Sequence, residues 1–116
     1  MIYLGSPYTS TCSTIQDSRH AEVLRVTKIL MQQDFIVFSP IVYSVPINAN
    51  NPALATWNHW AHFDLDMINR CKEFWLLTLP GWEESRGCGE EIAFCRSLAK
   101  PMSLLDPTTL ERKPYA

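Results

Sequence analysis

Two adjacent glutamates, Glu90 and Glu91, follow Ser85, Gly87 and Gly89 within the stretch PGWEESRGCGEEIAF at 80–94. Half of the chain's 4 glycines, Gly87 and Gly89, stand just before the glutamate pair. Glycines at the start of a helix leave backbone N–H groups free to face an anion, and the helix dipole favours negative charge there. Ser85 adds a hydroxyl donor to that cradle. The same G-x-G pair would also ease a plain tight turn, and no Gly-Lys-Ser/Thr follows, so this is not a Walker loop. Both carboxylates suit a first helical turn. One helix position turns by about 100°, however, so only one of them can face a ligand. Glu91 lies beside Ile92 and four positions before Cys95, near the buried stripe. It is therefore the candidate nucleophile or base, while Glu90 faces water.

A second carboxylate stands in WAHFDLDMI at 60–68. Asp64 shares a helical face with Trp57, Trp60 and Ile68, and a carboxylate among aromatics either pairs with a partner or does chemistry. Asp66 points elsewhere. His59, His62 and Asp66 have a spacing that a metal could use, but two histidines on a polar helix face are far commoner, and no metal is expected. Tyr8 and Trp82 flank the same region, where they could stack on a flat ligand or simply pack.

These residues need a scaffold. MIYL is a first strand closed by Gly5, Ser6 and Pro7. Asp17 or Ser18 could cap a helix carrying Val23, Val26 and Leu30 and ending near Gln33. DFIVFSP is a buried strand broken at Ser39-Pro40. Residues 41–56, rich in Pro and Asn, read as a long irregular loop. A helix follows from about Trp57 to Arg70, then EFWLLTLP as a central strand buried on both faces. A third helix runs from about Cys88 to Ala99, KPMSLL is a fourth strand, and DPTTLERKPYA is a polar tail or partner-binding arm. The alternation predicts an α/β fold, a three-layer Rossmann/flavodoxin-like sandwich around a parallel sheet of four to five strands, in a single domain over 1–116. Ligands of such sheets gather at the strands' carboxyl ends, here Gly5–Tyr8, Ser39–Ile41 and Pro80–Gly89.

Bulk composition narrows the classes. With 116 residues, 47% hydrophobic and 19% charged, the chain can bury one ordinary core. A net charge of −2 gives no reason to expect nucleic acid or a membrane surface as partner. Cys12, Cys71, Cys88 and Cys95 form no C-x-x-C pair, which fits small buried thiols in a reducing compartment. No signal peptide or membrane span is legible, so a cytoplasmic protein is expected.

The segments IYLGSPY, VFSPI, W-x-x-x-D-x-x-x-I (Trp60, Asp64, Ile68) and LPGWEESRGCGEEIAF together resemble the nucleoside 2-deoxyribosyltransferase-like superfamily, over nearly the whole chain. The closest likeness is to a small bacterial and phage branch of it. The resemblance implies cleavage or transfer of the N-glycosidic bond of a nucleoside 5′-monophosphate or a nucleoside. Glu91 maps to the family nucleophile and Asp64 to the family's helix aspartate. Gly5 and Ser6 fall in the first-strand loop used around sugar and phosphate. Ser85, with Gly87 and Gly89, is similar to the phosphate-binding serine region of the nucleotide N-hydrolases, and Tyr8 or Trp82 would meet the base. Those hydrolases carry Arg-Gly where this chain has Pro7-Tyr8, so Arg19 or Arg86 is the candidate cation. Tyr8 instead is similar to the aromatic of the transferases. No cofactor is implied, and a homodimer or larger oligomer is. A non-catalytic nucleotide-binding or sensing module on the same fold is the alternative.

Overall fold

The structure, a computed structural model, describes residues 1–116 except for the Trp57 side chain. In chain order it contains β1 (Ile2–Gly5), α1 (Ser13–Gln32), β2 (Val37–Phe38), α2 (Pro40–Asn48), α3 (Trp57–Arg70), β3 (Glu73–Leu77), a 3-10 turn (Trp82–Glu84), α4 (Arg86–Ser97), β4 (Met102–Leu105) and β5 (Arg112–Pro114). The sheet order is β2-β1-β3-β4-β5. Neighbours are parallel except β5, which runs antiparallel to β4.

That order makes a three-layer α/β sandwich. The step from β1 to β2 goes one way along the sheet, and the steps to β3 and β4 go the other. Right-handed crossovers then place α1 on one face, and α3 with α4 on the opposite face. Side-chain alternation follows. Tyr3, Phe74, Leu76 and Met102 pack with Ile68 of α3 and with Cys88, Ile92 and Cys95 of α4. Leu4, Trp75, Leu77 and Leu105 pack with Val23, Val26 and Leu30 of α1. Strand β3 is thus covered on both sides, which is why its sequence is an unbroken apolar run.

Three expectations need correction. Residues 41–56 are not all loop, because α2 occupies Pro40–Asn48. Ser39 caps it, its Oγ accepting from Val42 N–H at 3.2 Å, and Pro40 stands at the first position, where a fixed φ and a missing N–H do no harm. Helix α1 begins at Ser13 rather than near Asp17, with Cys12 at its cap position making no side-chain bond. The polar tail supplies β5, pairing Ser103 with Pro114 and Leu105 with Arg112. The turn into it is held by Asp106, whose Oδ1 accepts from Thr108 and Thr109 N–H at 2.8 Å each. Charged side chains suit such an edge strand because they discourage pairing with another chain. Arg112 also lies 4.4 Å from the Trp75 ring centre and 3.0 Å from Glu73 Oε1.

Among the described residues no helix is long and apolar enough to cross a membrane.

Candidate functional site

The chain departs from the sheet in opposite directions after β1 and β3, and that divergence opens a crevice at their carboxyl ends. A cavity of about 830 Å³ lies there, with Ser6, Asp64 and Glu91 among its lining. Helix α2, which follows β2, and the start of α3 wall one side through Val45, Asn48 and Trp60. The start of α4, which follows β3, walls the other through Ser85, Arg86 and Gly87.

Glu91 sits on the buried stripe of α4 with Cys88, Ile92 and Cys95, and is 5% exposed. One of its oxygens, Oε2, accepts a hydrogen bond from the Tyr3 hydroxyl. The Tyr3 ring is fixed in turn by stacking on Phe74, at 5.6 Å between ring centres. Gly5 makes room for this carboxylate. A Cβ there would stand 2.7 Å from Phe74 Cζ and 3.2 Å from Glu91 Oε1, so any larger residue must displace one of them.

Asp64 is 8% exposed, and its Oδ1 has no partner among the described residues; neither has the buried Ser6 Oγ. Orphaned buried polar atoms are costly, roughly 1–3 kcal/mol each, and two of them lining one cavity point to a ligand that satisfies both. Burial pushes Asp64 up to about 7. It pushes Glu91 up to about 8, with the Tyr3 hydroxyl opposing the rise and the Asp64 charge adding to it. Tyr3 is itself raised, by burial first and by the two carboxylates second.

The glycine cluster divides. Ser85 Oγ accepts from Cys88 N–H at 3.3 Å and so caps α4. The N–H groups of Arg86 and Gly87, in the helix's first turn, have no intrahelical acceptor. Gly87 lines the cavity with them. Gly89 does not: its N–H donates to Ser85 O at 3.0 Å, it is exposed, and a Cβ there would meet nothing within 4 Å. The helix starts at Arg86, before the position expected from the sequence, and this carries Gly89 past the turn whose N–H groups are free. Arg86 reaches the cavity lining and also pairs with Glu90 at 3.1 Å on the solvent side.

The aromatics are also redistributed. Tyr8 lines the cavity, but Trp82 does not; its ring packs edge-on against Tyr115, 6.1 Å between centres. Trp60 lines the cavity instead, its Nε1–H donating to Asn48 Oδ1 at 2.9 Å. Trp57, expected on that face, lies outside the described side chains. His59 packs edge-on against the Trp60 ring, with 5.2 Å between ring centres.

Three contributors were not found from the sequence: Asn48, within a stretch read as loop, Tyr3 and Gln16. Tyr3 looks like core in an apolar strand, and only its hydroxyl hints at more. Gln16 lines the cavity from α1, with no motif to mark it. Arg19, a candidate cation, has another task. It donates to the carbonyls of Tyr8 at 3.3 Å, Thr9 at 2.9 Å and Pro80 at 3.1 Å, tying the loop after β1 to the loop after β3. Gly81 makes space for that guanidinium: its φ is 91°, and a Cβ would lie 2.5 Å from Arg19 Nη2.

A family model described as a domain of unknown function (DUF1937) matches residues 1–106, and the chain belongs to that family. No curated protein matches it.

Proposed function

We propose that this DUF1937 chain breaks or transfers the N-glycosidic bond of a nucleoside 5′-monophosphate or nucleoside. The observation that carries the reading is the group at the cavity floor: Glu91 held by Tyr3, beside the unpartnered Asp64 Oδ1 and Ser6 Oγ. Glu91 Oε1, the oxygen not bonded by Tyr3, attacks C1′. As the C1′–O bond forms, the C1′–N bond breaks and its electron pair leaves with the base, which takes a proton from Asp64. Water, or a second base, then displaces Glu91 from C1′ and gives its proton to the now ionised Asp64, which restores both carboxyls to their starting state. Between about pH 7 and 8 the two carboxyls hold roughly one proton between them, and the reactive arrangement has that proton on Asp64. The free N–H groups of Arg86 and Gly87 and the Ser85 hydroxyl receive the 5′ group, and Tyr8 or Trp60 covers the base. The reading includes a reducing, cytoplasmic setting, in keeping with four free cysteines, and a homo-oligomer.

Chromatography of free base, after incubation with the common ribo- and deoxynucleosides and their 5′-monophosphates, tests the reading. Base release that disappears in Glu91→Ala supports it. Absence of release from every member of that panel overturns it.

One observation favours a second reading, a non-catalytic nucleotide sensor. With its carboxyl raised to about 8, Glu91 is largely protonated at neutral pH, which weakens a nucleophile yet supplies a hydrogen-bond donor to a ligand. Thermal stabilisation by nucleotides without base release identifies this case.

A further inference from the structure

Two carboxamides line the cavity, and both have their oxygen already engaged. The indole N–H of Trp60 can only donate, so the Asn48 atom 2.9 Å from it is the amide oxygen. The backbone N–H of Ser10 can likewise only donate, and it meets Gln16 Oε1 at 3.1 Å. This chemistry fixes which way each amide is turned. In both, the NH2 group remains, and among the described residues no protein acceptor takes its hydrogens. The groups these two amides leave with no hydrogen-bond partner among the described residues are their NH2 donors.

Asn48 is the more informative of the two because of its place. It ends α2 on the β2 side of the crevice, across from the free N–H groups of α4 on the β3 side. This step rests on the nucleotide reading above: with C1′ at Glu91 and the 5′ group toward α4, the base extends toward Asn48 and Trp60. We infer that Asn48, turned by Trp60, is a specificity-determining residue whose Nδ2–H donates to an exocyclic oxygen of the base. The site then prefers 6-oxopurines and 4-oxopyrimidines to their amino counterparts. An amino group at that position would set donor against donor and leave the Asn48 NH2 unpaired.

Asn48→Asp separates this role from a mere latch between α2 and α3. Aspartate still accepts from Trp60 Nε1–H but presents an acceptor to the cavity where asparagine presented a donor. The experiment is calorimetric binding in a Glu91→Gln background, which stops turnover. It uses 2′-deoxyinosine against 2′-deoxyadenosine 5′-monophosphate, and 2′-deoxyuridine against 2′-deoxycytidine 5′-monophosphate. Ratios within each pair cancel the uniform effect of the added charge on the phosphate. The oxo member is expected to bind about tenfold more tightly with Asn48, and Asn48→Asp is expected to lower that ratio by about tenfold or more. Trp60→Phe, which keeps Asn48 but frees its amide to rotate, is expected to bring the ratio toward one. Nucleotides that bind with a ratio unchanged in both variants overturn the inference and leave the nucleotide reading standing. Failure of all four nucleotides to bind overturns the nucleotide form of that reading, and this inference with it.

Discussion

Replacing Glu91 by Gln removes a titrating group from the cavity floor while keeping its shape and its acceptor for Tyr3. The carboxyl is pushed from 4.5 to about 8, chiefly by burial. Each unit of that difference corresponds to about 1.4 kcal/mol, so the ionised carboxylate destabilises the fold by at most roughly 5 kcal/mol at high pH. Relaxation around the charge reduces this to roughly 2 kcal/mol. Asp64, raised from 3.8 to about 7, acts in the same direction. Because both folded-state values exceed the unfolded ones, the folded protein binds more protons than the unfolded chain between them. Stability from these groups is complete below about pH 4 and is lost as pH rises through about 7 and 8, each group contributing up to about 1.4 kcal/mol per pH unit in that window. Urea unfolding from pH 5 to 8.5 reads the difference directly. The wild type is expected to weaken as pH rises. Glu91→Gln should follow a shallower course and become the more stable protein by roughly 2 kcal/mol near pH 8.5, some 6–10 °C in melting temperature for a domain of this size. Titrating groups that do not interact with Glu91 cancel in the comparison. A stability difference that stays constant across this range refutes the argument that Glu91 is buried and protonated.

Three further outcomes follow from the same contacts. Tyr3→Phe removes the hydroxyl that opposes the rise of Glu91, so the acidic limb of the pH–rate profile should move to higher pH and base release should fall about 10–100-fold; an unmoved profile denies Tyr3 its role. Gly5→Ala places a methyl against Phe74 and Glu91 and should lower stability by about 1–3 kcal/mol in urea titrations, whereas full stability would mean the site yields freely. Ser85→Ala leaves Cys88 N–H uncapped and is expected to cost about 1 kcal/mol, a loss that thermal melting detects and whose absence removes the cap argument.

What could be read from the chain depended on how local the cause was. Strand β3 announced itself because two covered faces demand apolar residues at every position from Phe74 to Leu77. The separation of Glu90 from Glu91 was legible because helical periodicity and the neighbouring Ile92 are local facts, and the structure puts Glu91 inside with Glu90 exposed. Helix α2 was hidden by Pro40 and Pro46, which usually break helices; Ser39 as cap and Pro40 at the first position reverse that reading. Strand β5 is polar and only three residues long, and it exists through its pairing with β4 and the Asp106 turn. Trp82 faces Tyr115 because Gly81, at positive φ, redirects the chain before the 3-10 turn, and no periodicity carries across such a bend. Tyr3 was the least accessible, since its meaning depends on a partner 88 positions later.

The clamp formed by Arg19 constrains how this protein can diverge. Its three acceptors are main-chain carbonyls, which every residue type possesses, so the side chains at Tyr8, Thr9 and Pro80 can drift without loosening it. Gly81 has no such liberty, because a side chain there collides with the guanidinium. Positions 19 and 81 should therefore change together among relatives: where the glycine is lost, a shorter residue than arginine should stand at 19, with the two loops fastened by other means. Variation in the loop lining the cavity would then be separable from variation in its anchorage, leaving the pocket free to acquire new ligands while its walls stay joined.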